Sequence, residues 1–300
     1  MKLSSLIYFS AFGLSTVIFR RKKPILGTII LTDKCNLSCK HCTVNNINGV
    51  IHSYQQIKCE MNILYNQGIR ILFFCGGETF MWSDDNVTLR SLVREAKNMG
   101  FIIVNVVTNG TFPINLPEAD LILLSVDGSK ENHNDIRGDT FDKIISNIQN
   151  ATSDNICLYM AINQINQDDI EEVCKIARYE PNIRAVSFNF HTPYPETEIL
   201  SLNINEKRIV LDKIEHLISA GYPVFNLKSA FKYIADNSFK TPCRQCVVIE
   251  NGRQTICGRC IDVDGLCDKC GYFFAAEYSL VFHGNLRVAA DMLKTYLKYI

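Results

Sequence analysis

Thirteen cysteines stand in a chain of 300 residues, and nine of them fall into two groups. Cys35, Cys39 and Cys42 share one short stretch, separated by three and then two residues. Three thiolates so close can ligate three irons of a cubane [4Fe–4S] cluster, whose usual protein ligand is thiolate, and leave the fourth iron open. Zinc is the alternative taker of such sulfurs. Cys243, Cys246, Cys257, Cys260, Cys267 and Cys270 form three Cys-x-x-Cys pairs. Two thiolates on one tight turn can meet a single ion or cluster. Four complete a zinc site or an iron–sulfur site, so six exceed one standard site of either kind. An odd, clustered count in a chain this long argues against a secreted disulfide scaffold and for metal binding in a reducing, cytoplasmic compartment. The lone Cys59, Cys157 and Cys174 read as small buried hydrophobes.

Other reactive side chains recur at the ends of apolar runs. Cys75-Gly76-Gly77-Glu78 follows one such run, and adjacent glycines let backbone approach a ligand while a carboxylate takes an ammonium group. Asn109 ends the next run, Ser125 and Asp127 the one after, and Arg137 follows closely, a guanidinium suited to bidentate hydrogen bonding of a carboxylate. Asn163 and His191 end two further runs; the first could bond a ribose, the second could exchange a proton with a substrate. Asn-Gly and Asp-Gly are also ordinary turn pairs. His52, His216 and His283 have no partner pattern and read as solvated or structural. Arg244, Arg253 and Arg259 interleave the late cysteines, where they either balance thiolate charge or face solvent.

The spacing of Cys35, Cys39 and Cys42, followed in register by Gly76-Gly77-Glu78, resembles the defining motifs of the radical S-adenosylmethionine (radical SAM) superfamily. The resemblance covers about residues 27–195. It implies a [4Fe–4S] cluster on the three cysteines, with S-adenosyl-L-methionine chelated at the open iron. It also implies that Gly76, Gly77 and Glu78 meet the methionyl amine, that Ser125 and Arg137 bind the cofactor carboxylate, and that Asp127 lies beside the site; Asn109 is a further candidate for cofactor contact and Asn163 for the adenosyl ribose. His41 stands where that family carries an aromatic residue near the cofactor, and Thr79 where a proline often follows. His191 would face the substrate as a catalytic proton donor or acceptor. The late cysteines resemble the auxiliary-cluster extensions of the same superfamily, which implies a second [4Fe–4S] cluster, with a zinc ribbon as the alternative.

Elements must then hold these groups together. From residue 25 onward, short apolar runs alternate with helical patterns, the signature of βα units around a parallel sheet. Strands are expected at 27–31, 71–75, 102–107, 121–126, 156–162 and 185–190. Helices are expected at 54–66, 87–98, 141–148, 170–177 and 209–218, from apolar residues at helical spacing. The fold class is therefore α/β, a partial (β/α)6 TIM-like barrel over 25–236, with its chemistry at the carboxyl ends of the strands. A small cysteine-rich extension follows over 237–300. Its last helix shows Leu286, Ala290, Leu293, Leu297 and Ile300 on one side, a face suited to core or membrane.

Residues 1–24 are mostly apolar and end in Arg20-Arg21-Lys22-Lys23-Pro24. They are short for a spanning helix and lack a signal-peptide cleavage pattern. They read as a helix lying in the interface at the cytoplasmic face of a membrane, or as one packed on the protein itself. The 31 basic and 31 acidic side chains cancel, so no field favours nucleic acid.

By the resemblance, an electron donor such as flavodoxin or ferredoxin reduces the cluster, S-adenosylmethionine is cleaved, and a 5′-deoxyadenosyl radical takes hydrogen from a substrate. Two substrate classes follow. A lipid is suggested by the apolar N-terminus, a peptide or protein by the auxiliary-cluster layout. A non-catalytic iron–sulfur or zinc carrier or sensor would explain the cysteines but not Gly76-Gly77-Glu78 and Arg137.

Overall fold

Strands apolar on both faces belong in a parallel sheet covered by helices, and the computed structural model places them there. It describes residues 7–13, 15, 23–43, 49–241, 244 and 246–300. In chain order the elements are β1 (Leu26–Ile30), α1 (Tyr54–Asn66), β2 (Ile71–Cys75), a small hairpin β3 (Ser83–Asp84) and β4 (Val87–Thr88), α2 (Leu89–Met99), β5 (Ile103–Thr108), β6 (Leu121–Ser125), α3 (Lys130–Arg137), α4 (Phe141–Gln149), β7 (Ile156–Ile162), α5 (Ile170–Tyr179), β8 (Ile183–Phe190), α6 (Ile204–Ser219), α7 (Phe231–Ile234), β9 (Cys246–Glu250), β10 (Arg253–Ile256), α8 (Phe273–Phe282) and α9 (Leu286–Tyr299). β1, β2, β5, β6, β7 and β8 pair in that order, all parallel. These are the six expected strands, their ends shifted by at most two residues, and they form the partial barrel.

Alternation along each strand divides the two faces. Ile29, Leu72, Phe74, Val104, Val106, Ile122 and Leu124 point outward into the helix layer and are buried there. Helix α1 shows how the sequence builds that layer. The Ser53 side chain accepts a hydrogen bond from the Gln56 backbone N–H as N-cap, and Ile57, Met61 and Leu64 lie one helical turn apart on the buried side. Gly27 sits beneath them, where a Cβ would press on Leu64 and Ile69.

The segment read as an appended extension is built into the barrel instead. β9 pairs parallel with β1, Leu26 opposite Cys246, and β10 returns antiparallel through Asn251 and Gly252. Both turn residues have positive φ, 52° and 71°, as a two-residue type I′ hairpin requires. That leaves a gap between β8 and β10. Residues 271–282 fill it. The Gly271 carbonyl accepts from the Phe190 N–H at 2.9 Å and the Phe273 N–H donates to Asn189 Oδ1 at 2.8 Å. Seven residues of α8, from Phe273 to Leu280, are buried on all sides of the helix, as expected of an element with the barrel on one side and α9 on the other.

Of the two roles open to the row Leu286, Leu293 and Leu297 on α9, packing in the core is corrected: the row faces outward, with Leu286 78 % exposed. The packed face carries Val288, Met292, Tyr296 and Tyr299, a second apolar stripe whose tyrosines have more area to bury. Cys59 is exposed, whereas Cys157 and Cys174 are buried as expected.

The described part of the N-terminal apolar segment is helical over 7–13 and packs on the protein. Phe9 and Phe12 join Ile25, Leu26, Ile71 and Tyr278 at the barrel base, and the Tyr8 hydroxyl donates to the Gly68 carbonyl at 3.1 Å. Among the described residues no helix is long and apolar enough to cross a membrane. The expected basic flank, apart from Lys23, lies outside them, as does Cys243.

Candidate functional site

The loop after β1 carries Cys35, Cys39 and Cys42, and the strand ends around it clamp it. Gly76 and Gly77 follow β2 and lie flat against the loop: the Gly77 N–H donates to the Thr32 carbonyl at 2.7 Å and the Glu78 N–H to the Lys34 carbonyl at 2.9 Å. A Cβ on Gly76 would collide with the Thr32 carbonyl, and one on Gly77 with that of Lys34. The two glycines are thus required by the cysteine loop itself, beyond any approach to a ligand. On the other side the Lys40 N–H donates to the Ile136 carbonyl, and its ammonium pairs with Asp135 at 2.6 Å.

Donors point at the sulfurs. The Leu37 N–H lies 3.4 Å from Cys35 Sγ, the Asn109 Nδ2 3.7 Å from the same atom, and the Arg137 Nη1 3.7 Å from Cys39 Sγ. Burial pushes the Cys35 thiol up and the Cys39 thiol up to about 11, with the neighbouring thiols adding to the shift. A coordinated metal inverts that preference, because ligand thiols bind deprotonated. Hydrogen bonds to ligand sulfurs then stabilise their charge.

Glu78 is fully buried and held by three donors: the Thr108 hydroxyl at 2.7 Å and the Phe80 N–H at 2.9 Å on Oε1, and the Asn109 N–H at 2.7 Å on Oε2. Burial raises its pKa and the donors pull it back. A carboxylate has about four acceptor sites, so one is left for an ammonium. Asn109 also ties the loop down by donating to Asn36 Oδ1 at 2.9 Å, while Asn36 donates to Thr111.

Asp127 and Arg137 form a buried ion pair at 2.5 Å. Burial works against the charge on Asp127, but Arg137 and the Ala161 N–H outweigh it and lower its pKa. His41 lies against the pair, 3.8 Å from Asp127 Oδ2 and 3.5 Å from the Arg137 guanidinium. Burial drives its pKa down to about 4, and its Nδ1 is buried without a partner. His133 is held neutral behind Asp127, its Nδ1 accepting from the Asp127 N–H at 3.1 Å. Ser125 ends β6 on the barrel-facing side, in register with Tyr159.

The structure thus brings together Cys35, Cys39, Cys42, His41, Gly76, Gly77, Glu78, Asn109, Asp127 and Arg137. His191 stands at the rim, its ring 6.3 Å from that of His41 and its Nε2 2.9 Å from the Thr197 hydroxyl. Asn163 is different: its carboxamide accepts from the Ile165 N–H at 2.9 Å and donates to the Ala161 carbonyl at 3.1 Å, closing its own turn. Thr108, Asn36, Thr111 and Asp135 were missed by sequence reasoning. Only the Asn109-Gly110-Thr111 turn offered a signal, through Asn and Thr side chains that bond local backbone.

In the C-terminal part, Cys257, Cys260, Cys267 and Cys270 line one small pocket together with Thr192, Phe239 and Tyr272. The Cys246 carbonyl accepts from the Cys257 N–H at 3.0 Å, while Cys246 itself packs in the apolar barrel floor with Ile25, Leu26 and Ile71. Among the described residues no three His, Cys, Asp or Glu side chains converge tightly enough to hold a single ion. Arg259 is paired with Glu250 and donates to the Thr43 carbonyl at 3.1 Å, joining the extension to the cysteine loop, while Arg253 sits in an exposed pair with Asp262.

The donor set fits an anionic, sulfur-ligated cluster, and the orphaned His41 Nδ1 and the remaining acceptor site of Glu78 fit a polar ligand beside it. Comparisons agree. A 7,8-dihydro-6-hydroxymethylpterin dimethyltransferase of Methanocaldococcus jannaschii is 29% identical over 188 residues, 56% of this chain and 36% of that protein. The antilisterial bacteriocin subtilosin biosynthesis protein AlbA of Bacillus subtilis is 31% identical over 90 residues, 29% of this chain and 19% of that protein. The matches thus span well under half of either relative. The crystal structure of Streptococcus suis SuiB bound to S-adenosylmethionine superposes with a TM-score of 0.66 at 14% identity, covering 93% of this chain and 73% of that one, which shows a shared fold. Residues 29–177, the stretch holding the cysteine loop, Glu78, Asp127 and Arg137, match the Radical SAM superfamily, and to that superfamily of enzymes the chain belongs.

Proposed function

We propose that this chain cleaves S-adenosylmethionine reductively and modifies a peptide or protein substrate by hydrogen abstraction. The observation that carries the first part is the convergence of Glu78, Asn109 and the Asp127–Arg137 pair on the cysteine loop, with donors aimed at the Cys35 and Cys39 sulfurs. When bound, the cluster and S-adenosylmethionine supply one electron from a flavodoxin- or ferredoxin-type donor and an adenosyl radical able to take hydrogen. Cys35, Cys39 and Cys42 would hold the cluster. Glu78 would accept from the methionyl ammonium, and Arg137, fixed in orientation by Asp127, would meet the carboxylate with Ser125. His41 would offer a polar edge to the cofactor.

Peptide chemistry is supported by two likenesses. SuiB has been crystallised with its precursor peptide SuiA, in a structure that superposes with a TM-score of 0.64, and AlbA takes part in bacteriocin biosynthesis. The lipid alternative loses its main support, because the described N-terminal residues pack on the barrel base. Cys257, Cys260, Cys267 and Cys270 would hold an auxiliary [4Fe–4S] cluster; zinc is the alternative, and metal content separates the two.

The test is anaerobic reconstitution with iron and sulfide, chemical reduction, and quantification of 5′-deoxyadenosine and methionine. Formation of both, lost in the triple Cys35→Ala/Cys39→Ala/Cys42→Ala variant, is the expected result. A loaded, reduced enzyme that forms no more adenosyl product than this variant would overturn the reading.

A further inference from the structure

Inside the barrel lies a chamber of about 350 Å³, near the small end of the ~300–1,000 Å³ range of ligand pockets. Its upper rim is formed by Cys75, Gly76 and Thr43, beside the cysteine loop, and its floor by Leu26, Ile71 and Tyr278. Cys257, Cys260 and Tyr272 form part of its wall and also line the four-cysteine pocket, so the chamber lies between the two sulfur groups. The volume suits one side chain or a small molecule and is too small for a folded segment.

One residue on the wall is out of place. Asn105 points inward from the middle of β5, opposite Phe73 on β2. It is 4 % exposed, and its buried Oδ1 has no partner. A buried polar group left unpaired costs about 1–3 kcal/mol, so an apolar residue would serve the fold better. Its depth is informative: Asn105 lies two residues, roughly 7 Å, below Val107 at the upper rim.

The charged groups of the same wall are already engaged. Arg259 and Glu250 pair with each other. Glu277 accepts from the Leu227 N–H at 2.9 Å and bonds the Asn226 side chain. No charge is therefore offered to a ligand, and the rest of the wall is neutral: Ile30, Phe73, Leu123 and Phe274 are apolar, and Thr28, Ser187 and Tyr159 add hydroxyls. A carboxamide in such a setting recognises a neutral group with its own donor and acceptor, carried on an apolar stem.

We propose that the chamber is the substrate's specificity pocket and that Asn105 reads a neutral carboxamide or amide tip inserted from the cysteine-loop end, placing the stem beside the reacting centre. This deepens the peptide reading above by assigning a glutamine-like side chain as the group read.

The test uses the full chain and two isosteric probes, N-acetyl-glutamine amide and N-acetyl-methionine amide, with pentanamide as a probe lacking any peptide character. Binding is measured by ligand-detected NMR titration on the wild type, Asn105→Leu and Asn105→Ser, with thermal unfolding of each as a folding check. The wild type is expected to bind the glutamine probe about tenfold tighter than the methionine probe, the equivalent of one hydrogen-bonded amide. Either substitution should reduce that preference to within about twofold, and Asn105→Leu should raise the midpoint of unfolding. No preference in the wild type, or a preference retained in a folded variant, overturns the proposal. Asn105-dependent binding of pentanamide without binding of either peptide-like probe would keep the pocket and remove the peptide reading.

Discussion

Arg137 reaches across the mouth of the barrel to Cys39: its Nε holds Asp127 Oδ2 at 2.5 Å while its Nη1 stands 3.7 Å from the Cys39 sulfur. One guanidinium therefore orients on a carboxylate just beyond β6 and faces a thiol from the loop after β1. Because both partners of the ion pair are buried, removing one leaves an uncompensated charge. Asp127→Asn is expected to destabilise the metal-free protein by about 3–5 kcal/mol. Replacing both with leucine should cost less than the sum of Asp127→Leu and Arg137→Leu. Urea unfolding of the four proteins, as a double-mutant cycle, measures this; additive losses would mean that the pair is not coupled.

Gly77 leads to a prediction about assembly. Because a Cβ there would meet the Lys34 carbonyl, which is backbone and cannot swing aside, Gly77→Ala must shift the cysteine loop. In a background with Cys257, Cys260, Cys267 and Cys270 changed to alanine, iron incorporated per chain should fall by more than half while the far-ultraviolet circular dichroism stays that of the background protein. Full iron loading in Gly77→Ala would show that the loop tolerates the shift.

The barrel was legible because its strands are continuous apolar runs, and the strand-end groups because each follows such a run. Cys35, Glu78, Asp127 and Arg137 could be placed on one rim by that logic alone. β9 escaped notice because Cys246-Val247-Val248-Ile249 was read for its cysteine, although the Asn251-Gly252 pair behind it is a strong hairpin signal. The outward row of α9 stayed ambiguous for a different reason: two stripes of similar apolarity share that helix, and which one packs depends on where Tyr278 and Phe225 stand in the fold. Asn163 shows the limit of strand-end reasoning, since position could not reveal that its amide closes its own turn.

The four cysteines around one pocket predict a metal count. Changing Cys257, Cys260, Cys267 and Cys270 together to alanine should remove about four irons per chain if a cubane cluster sits there, leaving those held by Cys35, Cys39 and Cys42. Iron and zinc analysis of the reconstituted proteins distinguishes the cases. Loss of one zinc with no loss of iron would replace the auxiliary cluster by a structural ion.

Glu277 predicts how stability varies with pH. Burial in α8 beside the chamber raises its pKa to about 7, against an ordinary 4.5, despite hydrogen bonds from the Leu227 N–H and Asn226. Below about pH 4.5 the group is protonated whether the chain is folded or not, and it imposes no penalty. Between 4.5 and 7 the unfolded chain ionises while the folded one does not, so folded stability falls as pH rises, by up to about 1.4 kcal/mol per unit. Above 7 the loss is constant. Glu277→Gln keeps the acceptor for Leu227 and removes the ionisation, so it should be more stable than the wild type at pH 8 and nearly equal at pH 4.5. Urea unfolding of both proteins at pH 4.5, 6 and 8 checks this, and a gap that failed to widen with pH would mean that the Glu277 carboxyl is hydrated or otherwise stabilised in its charged form.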